Sequence, residues 1–299
     1  MAVVVHIILR EAADMLGEVM PNTPNIEDLR KQAQKLRVSI VEMLTEARSG
    51  HPGGSLSTTE IVTALYFSEM RHDAKRPNWE ERDRFVISKG HGVPTVYAAM
   101  AYSGYFPMEE LMTLRKTGSR LQGHPDPARL PGIEASTGSL GQGLSIAQGM
   151  ALAARLSPKP WHTYCLLGDG ELQEGQVWEA AMSAPNFKLG GLTAIIDLNG
   201  GQIDGPVSEV MNIEPIADKW RAFNWEVTVV NGHDFNELLP ALKRARAADP
   251  SKGKPHMIIA NTVKGKGVSF MEHKIGWHGV APTKDECARA LEEIRSKLV

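Results

Sequence analysis

Cysteine is nearly missing from this chain of 299 residues, which holds only Cys165 and Cys287. Their spacing matches neither a disulfide framework nor a zinc site, so a reducing compartment fits and a cytoplasmic location is expected. Strong charge is missing too. A formal net charge of −2 supplies no field for general attachment to nucleic acid or anionic membranes, and neither partner is expected. Short basic clusters such as Lys243-Arg244-Ala245-Arg246 read as a solvated helix face. No apolar run approaches the ~20 residues that cross a bilayer as a helix. The apolar start, Ala2 to Leu9, is short, has no basic leader and runs into Arg10-Glu11, so no signal peptide is expected. Neither G-x-G-x-x-G nor G-x-x-x-x-G-K-[ST] occurs, which removes the usual signatures of nicotinamide and nucleoside triphosphate enzymes. Lys264-Gly265-Lys266-Gly267 lacks the required spacing.

What is present is an alternation of apolar strand-like runs with helical periodicity. Asn25 is placed to cap a helix through Ile26, Leu29, Ala33, Leu36, Ile40 and Leu44, with Gly50 ending it just before His51. Ser57-Thr58-Thr59-Glu60 reads as a capping box opening a second helix, and Thr283 to Glu286 caps a last one through Leu291 and Ile294. Strands are expected at Phe85 to Ile87, Tyr164 to Leu167, Leu192 to Asp197, Trp225 to Val230 and His256 to Ala260. This alternation predicts an α/β fold with a mainly parallel sheet covered by helices on both faces. The stretch from Gly118 to Gly138, rich in Gly and Pro and carrying His124, predicts a long loop of the functional kind.

The most informative segment is Gly168-Asp169-Gly170 at the end of one predicted strand, answered by Asn199 past the next. A βαβ unit takes roughly 30 residues and brings both strand ends to one edge of a parallel sheet. Asp169 and Asn199 are therefore expected to be neighbours. Glycines admit a ligand close to the backbone, while a carboxylate and an amide oxygen are hard donors for Mg²⁺ or Ca²⁺, which bridge to phosphate oxygens. Gly-Asp-Gly alone is an ordinary turn signal; the matching Asn gives it meaning.

That pairing resembles thiamine diphosphate enzymes, and further segments resemble transketolases in family order. These are Ser49-Gly50-His51-Pro52-Gly53-Gly54, Ser88-Lys89-Gly90-His91, Gly123-His124-Pro125, Ser136 to Leu144, and Trp277-His278-Gly279. The resemblance starts after Pro21 and Pro24, which leaves residues 1–23 as an extension and 24–299 as one cofactor-binding domain. It implies a thiamine diphosphate-binding fold. It also implies that Asp169, Asn199 and the Gly201 carbonyl bind the metal, and that His91, Gly138, Ser139, Leu140, Gly170, Asn199 and His278 contact the cofactor. His51, His124 and His278 are implied to face the ketol head of a donor sugar. The implied reaction moves a two-carbon unit from a ketose phosphate to an aldose phosphate.

Three positions depart from the family pattern. Ser139 stands where many transketolases carry Pro, Gly200-Gly201 replaces bulkier residues, and Glu171 adds a charge after the turn; weaker cofactor retention is the expectation. The resemblance covers only the diphosphate-binding half of transketolases. It implies a separate C-terminal subunit carrying the pyrimidine-binding glutamate, two copies of each chain, and coupling of Glu174 to that partner. Two other readings stand beside it: the α subunit of a 2-oxo-acid dehydrogenase, which leaves the four histidine motifs unexplained, and a non-catalytic thiamine diphosphate-binding homologue.

Overall fold

A computed structural model describes residues 25–297, so the extension assigned to 1–23 lies outside the described residues. Five strands form one parallel sheet: β1 (Arg84–Ile87), β2 (Thr163–Gly168), β3 (Leu192–Leu198), β6 (Glu226–Asn231) and β7 (His256–Asn261), in the order β1-β2-β3-β7-β6. A small antiparallel pair, β4 (Gly201–Gln202) with β5 (Gly205–Pro206), was not predicted from sequence. Its strands are too short to leave a periodic signal.

Alternate residues of each strand feed separate cores. Ile87, Tyr164, Leu166, Ile195 and Ile258 pack on one face with the helices Ile26–Ala47, Val93–Tyr102 and Phe235–Arg246. Val86, Cys165, Leu167, Ala194 and Ile196 pack on the other with Gln142–Ala154, Gly175–Asn186 and Ile216–Ala222. Side chains of a strand point to opposite faces in turn, so an unbroken apolar run is what a sheet covered on both faces requires.

The caps differ in outcome. Asn25 accepts from Asp28 N–H at 2.8 Å, and Thr283 with Glu286 forms a complete capping box. Ser57-Thr58-Thr59-Glu60 does not. Ser57 closes the short helix Pro52–Ser57, Thr58 makes no side-chain cap, and Glu60 pairs with Arg37 and His233. Tertiary partners at sequence separations no local rule can see have taken both capping groups. The first helix also stops before Gly50: Ala47 is its last residue, and Arg48 turns the chain at φ +50.

Candidate active site at the carboxyl edge of the sheet

The register pairs Gly168 with Asp197 and Leu198 with Asn261, so the turns after β2, β3 and β7 emerge side by side. With the turn after β1 they border a cavity of about 390 Å³, lined among others by Lys89, Asp169, Asn199 and Lys264. Ligands of open parallel sheets collect at this edge.

Asp169 is 2% exposed; its Oδ1 accepts Gly170 N–H at 2.8 Å and its Oδ2 accepts Gly200 N–H at 2.5 Å. Asn199 Nδ2 donates to Asp197 at 2.7 Å, while Oδ1 accepts Gly201 N–H at 3.1 Å. The third expected ligand, the Gly201 carbonyl, accepts from Lys264 Nζ at 3.1 Å. Burial, reinforced by the nearby Asp197 charge, pushes the Asp169 carboxyl up to about 6 against the pull of its two N–H donors. Gly200 requires its glycine, with φ at +79. At Gly201 a Cβ would fall 2.6 Å from Ile275 Cδ1, so Ile275 supplies the apolar bulk that the glycine lacks.

Three charged residues here escaped the sequence reading. Asp197 is fully buried; it accepts from Ser57 Oγ and Lys89 Nζ at 2.6 Å each and from Thr262 Oγ1 at 2.5 Å. Burial opposes its ionisation, but the Lys89 ammonium and these hydrogen bonds hold its carboxyl below the usual range. Asp197 also orients the Asn199 amide, leaving Oδ1 as the end turned away from it. Burial, then repulsion from Lys89, lowers Lys264 to about 8. Lys89 and Lys264 both lie in glycine-rich segments that the sequence made conspicuous, so a cation next to a glycine turn was the available signal. Asp197 gave none, because its lysine partner lies 108 residues away.

His51, His91 and His278 form a triangle with ring centroids 5.0, 5.3 and 5.5 Å apart. His51 sits at the N-cap of Pro52–Ser57. Burial, helped by nearby cations, pushes His51 down to about 4, His278 to about 3 and His91 well below its ordinary value. All three are neutral near pH 7, and a neutral imidazole offers one donor and one acceptor. Nδ1 of His51 and of His278 are buried without a partner. His124 stands exposed at the rim, its Cδ2 2.9 Å from where a Cβ on Gly138 would lie. Gly138, Leu140 and Gly170 line the cavity; Ser139 is exposed and outside the lining.

The family described as transketolase, thiamine diphosphate binding domain, matches residues 29–297. A 6-deoxy-6-sulfo-D-fructose transketolase subunit from Clostridium sp. (strain MSTE9) is 47% identical over 90% of this chain and 97% of its own length. An apulose-4-phosphate transketolase subunit from Phocaeicola vulgatus is 42% identical over 91% of this chain and 96% of its own length. The crystal structure of transketolase from Campylobacter jejuni superposes with a TM-score of 0.84 at 36% identity, covering 91% of this chain but 43% of that one. These similarities favour the transketolase reading over a 2-oxo-acid dehydrogenase subunit, and the chain belongs to the transketolase family, over its thiamine diphosphate-binding half.

Proposed function

We propose that this chain is the cofactor-holding subunit of a two-chain transketolase. It moves a two-carbon ketol unit from a ketose phosphate to an aldose phosphate, using thiamine diphosphate with Mg²⁺ or Ca²⁺. The observation that carries the site assignment is the meeting of Asp169, Asn199 and the Gly201 carbonyl with His51, His91 and His278 around one cavity. Among the described residues no group of three or more His, Cys, Asp and Glu could hold a metal by itself. One carboxylate, one amide and one carbonyl are an incomplete set for Mg²⁺, which characteristically takes one or two carboxylates and finishes its coordination with phosphate oxygens. The buried Asp169 carboxyl, raised for want of a neighbouring positive charge strong enough to offset burial, fits a divalent ion beside a diphosphate. The unpartnered Nδ1 atoms fit a polar ligand.

When bound, thiamine diphosphate would supply the nucleophilic carbon and the electron sink that cleavage of a carbon–carbon bond beside a carbonyl needs. The chain's own work is to bind, orient and move protons. Asp169, Asn199 and Gly201 would hold the cation; Lys89 and Lys264 would offset diphosphate charge; Gly138, Leu140, Gly170, Asn199, His91 and His278 would border the cofactor, while Ser139 stays outside the cavity lining. His51, His124 and His278, neutral and able to donate or accept, serve the ketol hydroxyls and carbonyl. The two named relatives take different sugars, which fits a chain that serves the shared ketol head.

A separate C-terminal subunit is supported by the near-complete coverage of the two bacterial subunits and by the cavity rim, and we take the assembly to hold two copies of each chain. Ile203 borders the cavity at 66% exposure, and Val210 and Met211 beside it are 43% and 58% exposed. Gln173 Nε2 ties this rim together through Gln202 and the Met211 carbonyl. Calorimetric titration of the purified chain with thiamine diphosphate and Mg²⁺, followed by a ketol-transfer assay with and without the C-terminal half, tests the proposal. Cofactor binding by the chain alone, with turnover only in the mixture, is expected; robust turnover by the single chain would overturn it.

A further inference from the structure

The loop from Gly138 to Gly141 carries three of the residues assigned to cofactor contact, Gly138, Ser139 and Leu140, yet the helix it opens, Gln142–Ala154, has no side-chain cap of its own. Its N-cap is Gly141, at φ +86 and without a side chain. The first N–H groups of a helix need acceptors. Two arrive from other loops: Gly141 N–H donates to Glu171 Oε1 at 2.9 Å, and Gly143 N–H donates to Ser88 Oγ at 3.1 Å. The Ser88 hydroxyl donates in turn to Glu171 Oε1, and Glu171 Oε2 accepts Gly168 N–H at 3.0 Å. Glu171 is 2% exposed and Ser88 fully buried. One carboxylate therefore joins the ends of β1 and β2 to the cofactor loop. The contact is tight, since a Cβ on Gly143 would meet Ser88 Cβ at 2.4 Å. A negative group at a helix N-terminus is also favoured by the helix dipole.

We infer that Glu171, working through Ser88, is a positioning residue that caps Gln142–Ala154 from outside and sets the cofactor-facing loop. The extra charge after Gly-Asp-Gly is thus consumed inside the protein. Its effect on the cofactor rests on the thiamine diphosphate reading; the cap itself does not.

Glu171→Gln keeps the shape but sets an amide N–H against a donor whichever way the group is turned. In the cofactor-free chain, hydrogen exchange at the Gly141 and Gly143 amides should quicken about ten-fold, the scale of one lost buried acceptor, with strands β2 and β3 unchanged. With the C-terminal half added, the apparent KM for thiamine diphosphate should rise about ten-fold while saturated turnover stays within about two-fold. Ser88→Ala, which removes one link and keeps the carboxylate, should give the same pattern at about three-fold, and carries the test if Glu171→Gln does not fold. Wild-type exchange at both amides in a folded variant overturns the proposal. So does faster exchange throughout the sheet with turnover lost at saturating cofactor, which marks general loosening. If the wild-type chain fails to bind thiamine diphosphate, the cofactor reading fails while the exchange data still decide the cap.

Discussion

The two ends of the same parallel sheet each bury a carboxylate, and they treat it differently. At the amino end, Asp83 is 1% exposed and fully partnered: Arg71 N–H and Arg246 Nη1 each donate at 2.7 Å, and His162 N–H donates at 2.9 Å. Burial opposes its ionisation, but the Arg246 guanidinium wins and the carboxyl lies below its ordinary value. At the carboxyl end, Asp169 meets only backbone N–H groups, faces Asp197, and rises to about 6. A buried charge is tolerated when paired or when a ligand pairs it. The amino end pairs Asp83 within the fold, whereas at the carboxyl end Lys89 pairs Asp197 and Asp169 is left with room for a cation.

Asp169→Ala should have the largest effect. Loss of a ligand atom and of the balancing charge should lower thiamine diphosphate affinity by more than about 100-fold, with the unfolding transition near wild type. Unchanged affinity in a calorimetric titration contradicts the assignment.

His51→Ala and His124→Ala act elsewhere in the same cavity. Both should keep cofactor occupancy while ketol transfer, assayed with the C-terminal half, falls by roughly 10²–10⁴-fold. Full turnover in both variants removes their assigned roles.

Asp83→Asn probes the opposite end. It strands part of the Arg246 charge and should cost about 3 kcal/mol in denaturant unfolding, with no change in cofactor affinity per folded molecule. A changed affinity would show that the two ends are coupled.

The smallest effect concerns pH. Burial pushes His162 down to about 3 from the ordinary 6.5, and its Nε2 lies 2.8 Å from Thr193 Oγ1. Between those values the unfolded chain binds a proton that the native chain refuses, so stability rises with pH and is lost as pH falls below about 6.5. At pH 5, some 1.5 units below the ordinary value, the loss is roughly 2 kcal/mol. Denaturant melts at pH 7.5 and pH 5 check this, and His162→Gln should remove most of that share of the difference.

Much of this was legible because it is local. The apolar runs at Tyr164 to Leu167 and Leu192 to Asp197 became adjacent strands, extended by one or two residues, since a run apolar on both faces suits only a covered sheet. Asp169 and Asn199 met because a βαβ unit returns its strand ends to one edge. The Ser57 to Glu60 segment shows the limit: a capping pattern is a local preference, and Asp197, Arg37 and His233 offered those groups stronger partners. Lys89 and Lys264 could be noticed but not assigned, since a lysine beside glycines has no periodicity to betray its direction.

Local pattern already carried the five strands of the parallel sheet, the main helices and the turn glycines, written in unbroken apolar runs, a 3.6-residue period and short motifs. Which charges are shared depends on the folded chain. Asp197 draws in Ser57, Lys89 and Thr262, and Glu171 draws in Ser88 and Gly141, from elements far apart in the chain. Hydrogen bonds and Coulomb attraction act over a few ångströms of space, whatever the separation along the chain, so those assignments exist only once the sheet has brought its loops together.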